Sequence, residues 1–216
     1  MNKETQKARV YEGHRLRQQE RILSVAETLF CTQGIAHVGL NDIADAARVT
    51  RTTIYRYYAN KSDIVLAVFE RCMVGCYNQL PATVWDESLR GSVRLHALLH
   101  SFCDYYFANP LRAMFYVDFY RTFVNNVDAN RLQGTLTNLS SKDALIGTLL
   151  EVGIQDGSLR PDLSVPLIHT MLISVLYGLE QRLSQFGGDT QATRAHAAHD
   201  IYRSAVDVLM HGLMQR

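Results

Sequence analysis

Apolar residues recur along this chain at helical spacing, in stretches broken by glycine, proline and short polar clusters. Ile22, Ala26, Leu29 and Phe30 form one face of a helix predicted from about residue 15 to 33, with Gly34 as its stop. A short helix is predicted over 41–47, with Ile43, Ala44 and Ala47 facing inward. Thr50, a good N-cap, opens a third helix that ends near Tyr58, and Ser62 is expected to cap a long fourth one through Cys76. Further helices are predicted over 88–108, 111–125, 139–155, 165–186 and 190–213, punctuated by Pro110, Asp156-Gly157 and Gly187-Gly188. No alternating strand pattern flanked by turn residues interrupts them. The expected class is all-α.

Composition narrows the setting. With 47% hydrophobic and 20% charged residues among 216, the chain has the apolar content to bury a core. Met1 leads into Asn-Lys-Glu-Thr-Gln-Lys without an apolar region, so no signal peptide is expected. No run of ~18 apolar residues predicts a membrane-spanning helix. Four cysteines, at 31, 72, 76 and 103, are too few and too irregular for a disulfide scaffold. A protein of the reducing cytoplasm is expected, with no membrane partner. The net charge of +1 hides an asymmetry: residues 1–61 carry +4 and the remainder −3. A basic end on a mildly acidic body suggests that only the first part meets a polyanion.

The segment from Asn41 to Lys61, NDIADAARVTRTTIYRYYANK, gives that suggestion a geometry. A helix of about seven residues, a turn near Arg48-Val49 and a second helix capped by Thr50 make a helix-turn-helix layout. In the second helix Ile54 and Tyr58 share one face through their i,i+4 spacing and are expected to pack inward. Thr52, Thr53 and Arg56 then point outward, with Arg51 and Tyr55 on one flank. Such a face, polar and short-chained at its start, enters a major groove without steric conflict, where Arg and Thr reach base edges. Tyrosine hydroxyls and Lys61 are placed to donate to flanking phosphates.

The stretch ERILSVAETLFCTQGIAHVGLNDIADAARVTRTTIYRYYANKSDIVLAVFE resembles the DNA-binding domain of the TetR family of transcriptional repressors. Ile22-Leu23, Ala26, Leu29-Phe30, Gly34, Asp42-Ile43-Ala44, Val49-Thr50-Arg51, Thr53 to Tyr58 and Lys61 carry the likeness, in order and over about fifty residues. The resemblance implies a homodimer with one three-helix DNA-binding unit per subunit and a larger C-terminal helical domain that binds a small molecule and dimerises. On this chain the expected division is a flexible tail over 1–14, a helix-turn-helix domain over 15–61 and a ligand-binding and dimerisation domain over 62–216. By position, the resemblance assigns base reading and the groove edge to Thr50, Arg51 and Thr52, and phosphate contact to Tyr55, Arg56, Tyr57 and Lys61. The chain departs from the family pattern in two places. Val38-Gly39 replaces a common Thr-Thr or Thr-Ser, and Arg48 stands in the turn where glycine is common. A left-handed backbone at Arg48 would cost roughly 1 kcal/mol, so either the turn differs slightly from the family's or Arg48 adds a backbone contact.

The larger domain is aromatic from Phe102 to Phe123. Either these rings form a plain core stripe, or they enclose a largely apolar cavity with a few hydroxyls to orient an effector. The candidate lining is Phe102, Tyr106, Phe119, Tyr120, Phe123 and His169, with Trp85 near the mouth. His96, His100 and Cys103 share a face at i, i+4 and i+7, a spacing that can supply three metal ligands. Cys72 and Cys76 likewise share a face as a possible thiol pair. Isolated His and Cys on helices are more often packed or solvated, so no metal or cofactor is expected. The last two helices are the expected dimer seam, pairing with their twins as a four-helix bundle. No Ser-His-Asp set, Gly-rich phosphate loop or paired carboxylates appears in a convincing context, so an enzyme is not expected. The partners expected are a double-stranded DNA operator, a small-molecule effector and a second copy of the chain. The alternatives are a DNA-binding regulator without a small ligand and, from another class, a helical metal-dependent enzyme built on His96, His100 and Cys103.

Overall fold

The computed structural model describes residues 3–123, 145–183 and 191–215. Helices α1 (Lys3–Gln33), α2 (Leu40–Ala46), α3 (Arg51–Tyr55), α4 (Lys61–Tyr77), α5 (Ala82–Trp85), α6 (Gly91–Ala108) and α7 (Pro110–Asp118) follow one another. The π-turn Phe119–Phe123 continues α7. After it come α8 (145–155), α9 (Val165–Leu183) and α10 (Gln191–Leu213). No strand occurs among the described residues; Leu159 and Met214 form one isolated antiparallel bridge. The all-α expectation holds.

The chain divides into two compact units, and neither follows the expected boundaries. The first unit contains residues 3–71 together with 118–123; the second contains 72–117, 145–183 and 191–215. The expected break at 61/62 instead falls at the start of α4, whose apolar residues Ile64, Val65, Val68 and Phe69 are buried with the first unit's core. The expected flexible tail is helical from Lys3 onward, continuous with α1.

The first unit is built around Ile22, Ala26 and Phe30 of α1, Ile43 and Ala44 of α2, Ile54 of α3 and Phe69 of α4, all at most 4% exposed. Gly34, at φ +85°, ends α1 with its N–H on the Phe30 carbonyl. The α2–α3 turn is a Schellman motif: the Val49 N–H reaches the Ala44 carbonyl at 2.9 Å and the Arg48 N–H the Asp45 carbonyl at 3.0 Å. That motif demands a left-handed residue at its centre, and Arg48 supplies it at φ 52°. The turn therefore keeps the form that glycine would give it, at Arg48's expense. Arg21 donates to the carbonyls of Ala47 and Arg48, tying the turn to α1.

α4 begins two residues earlier than a Ser62 cap predicts, and its cap is Asn60. The Asn60 Oδ1 accepts the Asp63 N–H at 3.0 Å, and the Asp63 carboxylate returns to the Ala59 N–H at 2.9 Å. Further along, Phe69 stacks on Phe119 with ring centroids 4.0 Å apart. Arg71 bridges Glu20 and Glu27 at the far end of the same unit.

The second unit packs Leu95, Leu98 and Leu99 of α6, Ile146 and Leu149 of α8, Leu172 and Leu176 of α9, and Tyr202 and Val206 of α10 into one core. α6 and α8 approach so closely at Gly91 that a Cβ there would lie 2.5 Å from the Gly153 Cα. Asp156 caps this crossing by accepting the Gly91 N–H at 2.6 Å. α6 starts at Gly91 rather than 88, because Ser88 is held in a turn by the Asp86 carboxylate. The predicted starts or ends near 125, 139 and 186–190 lie outside the described residues. All four cysteines are buried and outside any disulfide.

Loss of the observed cap gives a direct check. Asn60→Ala should lower the stability of the chain by ~1 kcal/mol in chemical denaturation, whereas Ser62→Ala should stay within ~0.5 kcal/mol of the parent.

Candidate functional site

Five residues are too few to make a stable helix in water, so α3 exists because other parts of the first unit hold it. Thr50 caps it, its Oγ1 accepting the Thr53 N–H at 3.2 Å. Ile54 is fully buried and Tyr58 is 6% exposed, as their spacing predicted. The opposite side of the segment carries Arg48, Thr50, Arg51, Thr52, Tyr55 and Arg56, all exposed. Along that side the Arg51 guanidinium donates to the Tyr55 hydroxyl at 2.9 Å and lies 5.7 Å from its ring centroid. This i,i+4 pair limits the freedom of both side chains before any partner arrives.

Tyr57 and Lys61 are placed differently. The Tyr57 hydroxyl donates to Gln18 Oε1 at 3.0 Å, and both residues are half-buried. Lys61 Nζ donates to the Ile35 carbonyl. Burial lowers the pKa of its ammonium, while the carboxylates of Asp42 and Asp118 pull it back up. The Ile35 N–H in turn donates to Asp118 Oδ2 at 2.7 Å. One residue between α1 and α2, Ile35, is thus held at both its N–H and its carbonyl. Gly39, expected as a substitute cap, does begin α2 in extended backbone, and the Asp42 carboxylate accepts its N–H at 2.7 Å.

The second unit contains a cavity of about 90 Å³. Cys72, Met73, Cys76 and Tyr77 of α4, Phe102, Tyr105 and Tyr106 of α6, and Arg112, Ala113 and Tyr116 of α7 form three of its walls. Ile173, Leu176, Tyr177 and Glu180 of α9, with Tyr202 of α10, complete it. Of the seven side chains expected to line it, Phe102 and Tyr106 do. Phe119 and Tyr120 do not: they pack around Phe69 in the first unit, because the π-turn carries them out of the second. Trp85 is 53% exposed on the short helix α5, and His169 lies a turn before the lining part of α9; neither borders the cavity. The Phe123 side chain lies outside the described residues.

Glu180 and Arg112 also line this cavity, two ionisable groups to which the aromatic pattern of the sequence does not point. Glu180 is 8% exposed, and its Oε1 accepts the Tyr202 hydroxyl at 3.1 Å. Its backbone carbonyl accepts the Tyr106 hydroxyl at 2.7 Å. Burial pushes the Glu180 carboxyl up to about 7, against the opposing pull of the Tyr202 hydrogen bond. Arg112 donates to the Tyr105 hydroxyl at 3.1 Å, and Tyr105 in turn to the Cys72 carbonyl at 3.2 Å. A glutamate within the apolar helix VPLIHTMLISVLYGLEQRL was the available signal. Cys76, whose thiol burial pushes up to about 12, is not poised for thiolate chemistry.

Residues 22–68 match the family model for bacterial regulatory proteins of the tetR family. Over those residues the chain carries the DNA-binding domain of that family. It is 28% identical over 154 residues to the HTH-type transcriptional repressor KstR2 of Rhodococcus jostii, covering 70% of this chain and 72% of that one. Among solved structures, the ketosteroid regulator KstR2 of Mycobacterium tuberculosis shares its fold with a TM-score of 0.63 and 17% identity, over 92% of this chain and 95% of that one. FadR of Bacillus subtilis, solved with stearoyl-CoA, matches with a TM-score of 0.68 and 18% identity, over 90% and 98%. Like these TetR-family proteins, the chain joins an N-terminal helix-turn-helix to a larger helical part, and it is a transcriptional regulator.

The buried carboxyl gives a pH-dependent prediction. A folded pKa of about 7, above the ordinary 4.5, means that the native state holds a proton the unfolded chain releases. The stabilisation is complete below pH ~4.5 and is lost as pH rises through about 7. Glu180→Gln should flatten the stability profile across that window and be the more stable form at pH 8, by on the order of 3 kcal/mol in denaturant titrations.

Proposed function

We propose that this regulator is a repressor that binds a pseudo-palindromic operator as a homodimer and leaves it when a small molecule enters the cavity of the second unit. The observation that carries the DNA-binding half is the exposed row Arg48, Thr50, Arg51, Thr52, Tyr55 and Arg56 on and beside a buried-anchored α3. On this reading Arg51 and Thr52 read base edges in the major groove, while Arg48, Thr50, Tyr55 and Arg56 meet the groove edge and phosphates. Tyr57 and Lys61 act mainly by holding the unit in shape, with the remaining N–H groups of Lys61 near the phosphate backbone.

Two copies present α3 to successive major grooves ~34–36 Å apart. The dimer seam is assigned to α9 and α10, where Leu167, Val175, Ile201 and Val208 are 67%, 36%, 51% and 71% exposed. Their neighbours Leu172 and Leu176 are buried in the second unit's own core.

Cavity size supports the ligand half. At about 90 Å³ it is smaller than the ~150 Å³ cavity that holds a benzene. A ligand of more than a few heavy atoms therefore has to part the walls. Two of those walls run on into the first unit: α4 lines the cavity with Cys72 to Tyr77 and begins at Lys61. α7 lines it with Arg112 to Tyr116, and Asp118 follows within two residues. A ligand that binds the widened form more tightly draws on both helices and disturbs the Lys61–Ile35–Asp118 link. The effector is a largely apolar molecule with polar groups that meet Glu180 or Arg112.

The test begins with selection of bound duplexes from genomic DNA, followed by salt-dependent affinity measurements. Arg51→Ala should change the selected sequence, whereas Tyr55→Phe should weaken all duplexes alike. Absence of any salt-sensitive duplex binding by the parent chain would overturn the proposal. For the seam, Ile201→Glu combined with Val208→Glu should convert a dimer to a monomer in sedimentation analysis, with loss of operator affinity of at least about tenfold.

A further inference from the structure

His96 and His100 face the same way on α6, one turn apart, and α10 brings a third group to them. The Nε2 atoms of both rings lie 2.7 Å from the same oxygen, Oδ1 of Asp207. The ring centroids are 4.2 Å apart, and one donor atom from each of the three residues lies within 4.8 Å of the others. Cys103, the third ligand that helical spacing suggested, is not among them; it is fully buried and turned toward the His199 carbonyl.

We propose that His96, His100 and Asp207 form a three-ligand site for a divalent transition-metal ion of the zinc class, with water completing the coordination. Two imidazole nitrogens and one carboxylate oxygen are the donor set that such borderline ions favour. Without the ion, Asp207 Oδ1 accepts from both rings, so each carries its proton on Nε2. Metal binding turns both Nε2 lone pairs to the ion, so the proton on each Nε2 has to leave that atom. Entry from solvent is open, since the His96 and Asp207 side chains are 41% and 56% exposed.

The surroundings set the strength. His100 Nδ1 is buried without a hydrogen-bond partner. A ligating histidine normally donates its second N–H to an acceptor, and loss of that contact costs roughly 10–100-fold in affinity. The site therefore holds an exchangeable ion at roughly micromolar affinity rather than a permanent structural one. The neighbouring group Cys103, Asp104 and His199 is not a second such site. Its thiol is buried, and the guanidinium of Arg203 already pairs with Asp104 at 2.8 Å.

The experiment uses the untagged full chain, stripped with EDTA and titrated with zinc in a calorimeter, followed by elemental analysis after gel filtration. The parent should bind one ion per chain with a dissociation constant in the roughly micromolar range. His96→Gln and Asp207→Asn, both at solvent-facing positions, should each weaken binding at least about tenfold, while His199→Gln leaves it unchanged. Thermal melts in EDTA establish that the variants are folded, and Asp207→Asn alone carries the test if His96→Gln is not. A parent that shows no saturable binding, or zinc binding that survives both variants or is lost in His199→Gln, overturns the assignment.

Discussion

Burial of Ile54 is the contact on which the DNA-binding half of this molecule rests. α3 has five residues, about one and a half turns, and helix nucleation costs more than so short a run of hydrogen bonds returns. Its shape therefore comes from its surroundings. Ile54 at 0% exposure and Tyr58 at 6% hold it from beneath, Thr50 caps it, and the turn before it is held to α1 by Arg21. Every outward side chain inherits its direction from that inward anchor. A charge at position 54 would release the whole exposed row at once, however intact Arg51 and Tyr55 themselves remained.

The turn shows how a local cost is accepted for a tertiary result. Arg48 occupies a left-handed conformation that most residues avoid, because the Schellman motif between α2 and α3 requires it. In exchange a cation stands exposed at the edge of the candidate groove-reading face. The same logic recurs in the second unit, where Glu180 is kept in an apolar cavity at a pKa of about 7. Buried groups of this kind cost stability, and they concentrate where a partner is to be recognised.

Much of this was legible from residue spacing. The inward faces of α1 and α2, the Thr50 cap and the Ile54/Tyr58 anchor all follow from i,i+4 periodicity and cap chemistry, which are local properties. The family likeness was legible for the same reason, since its motif lies within one contiguous stretch. The cavity was not. Phe119 and Tyr120 belong by sequence to the aromatic run that begins at Phe102, yet a π-turn places them against Phe69 in the other unit. The metal-type cluster was half visible: helical spacing paired His96 with His100 but offered Cys103 as the third member, when the third is Asp207.

What the sequence determined by itself is therefore the all-α class, the helix-turn-helix and the chemistry of its outward face, because each depends on residues within a few turns of one another. What only the tertiary structure decided is which distant side chains meet. Asp118 reaches the Ile35 N–H across 83 positions, and Asp207 reaches His100 across 107. No periodicity in a single helix encodes such encounters. They arise from how buried faces of separate helices pack, and that packing is settled by the whole core rather than by any one segment.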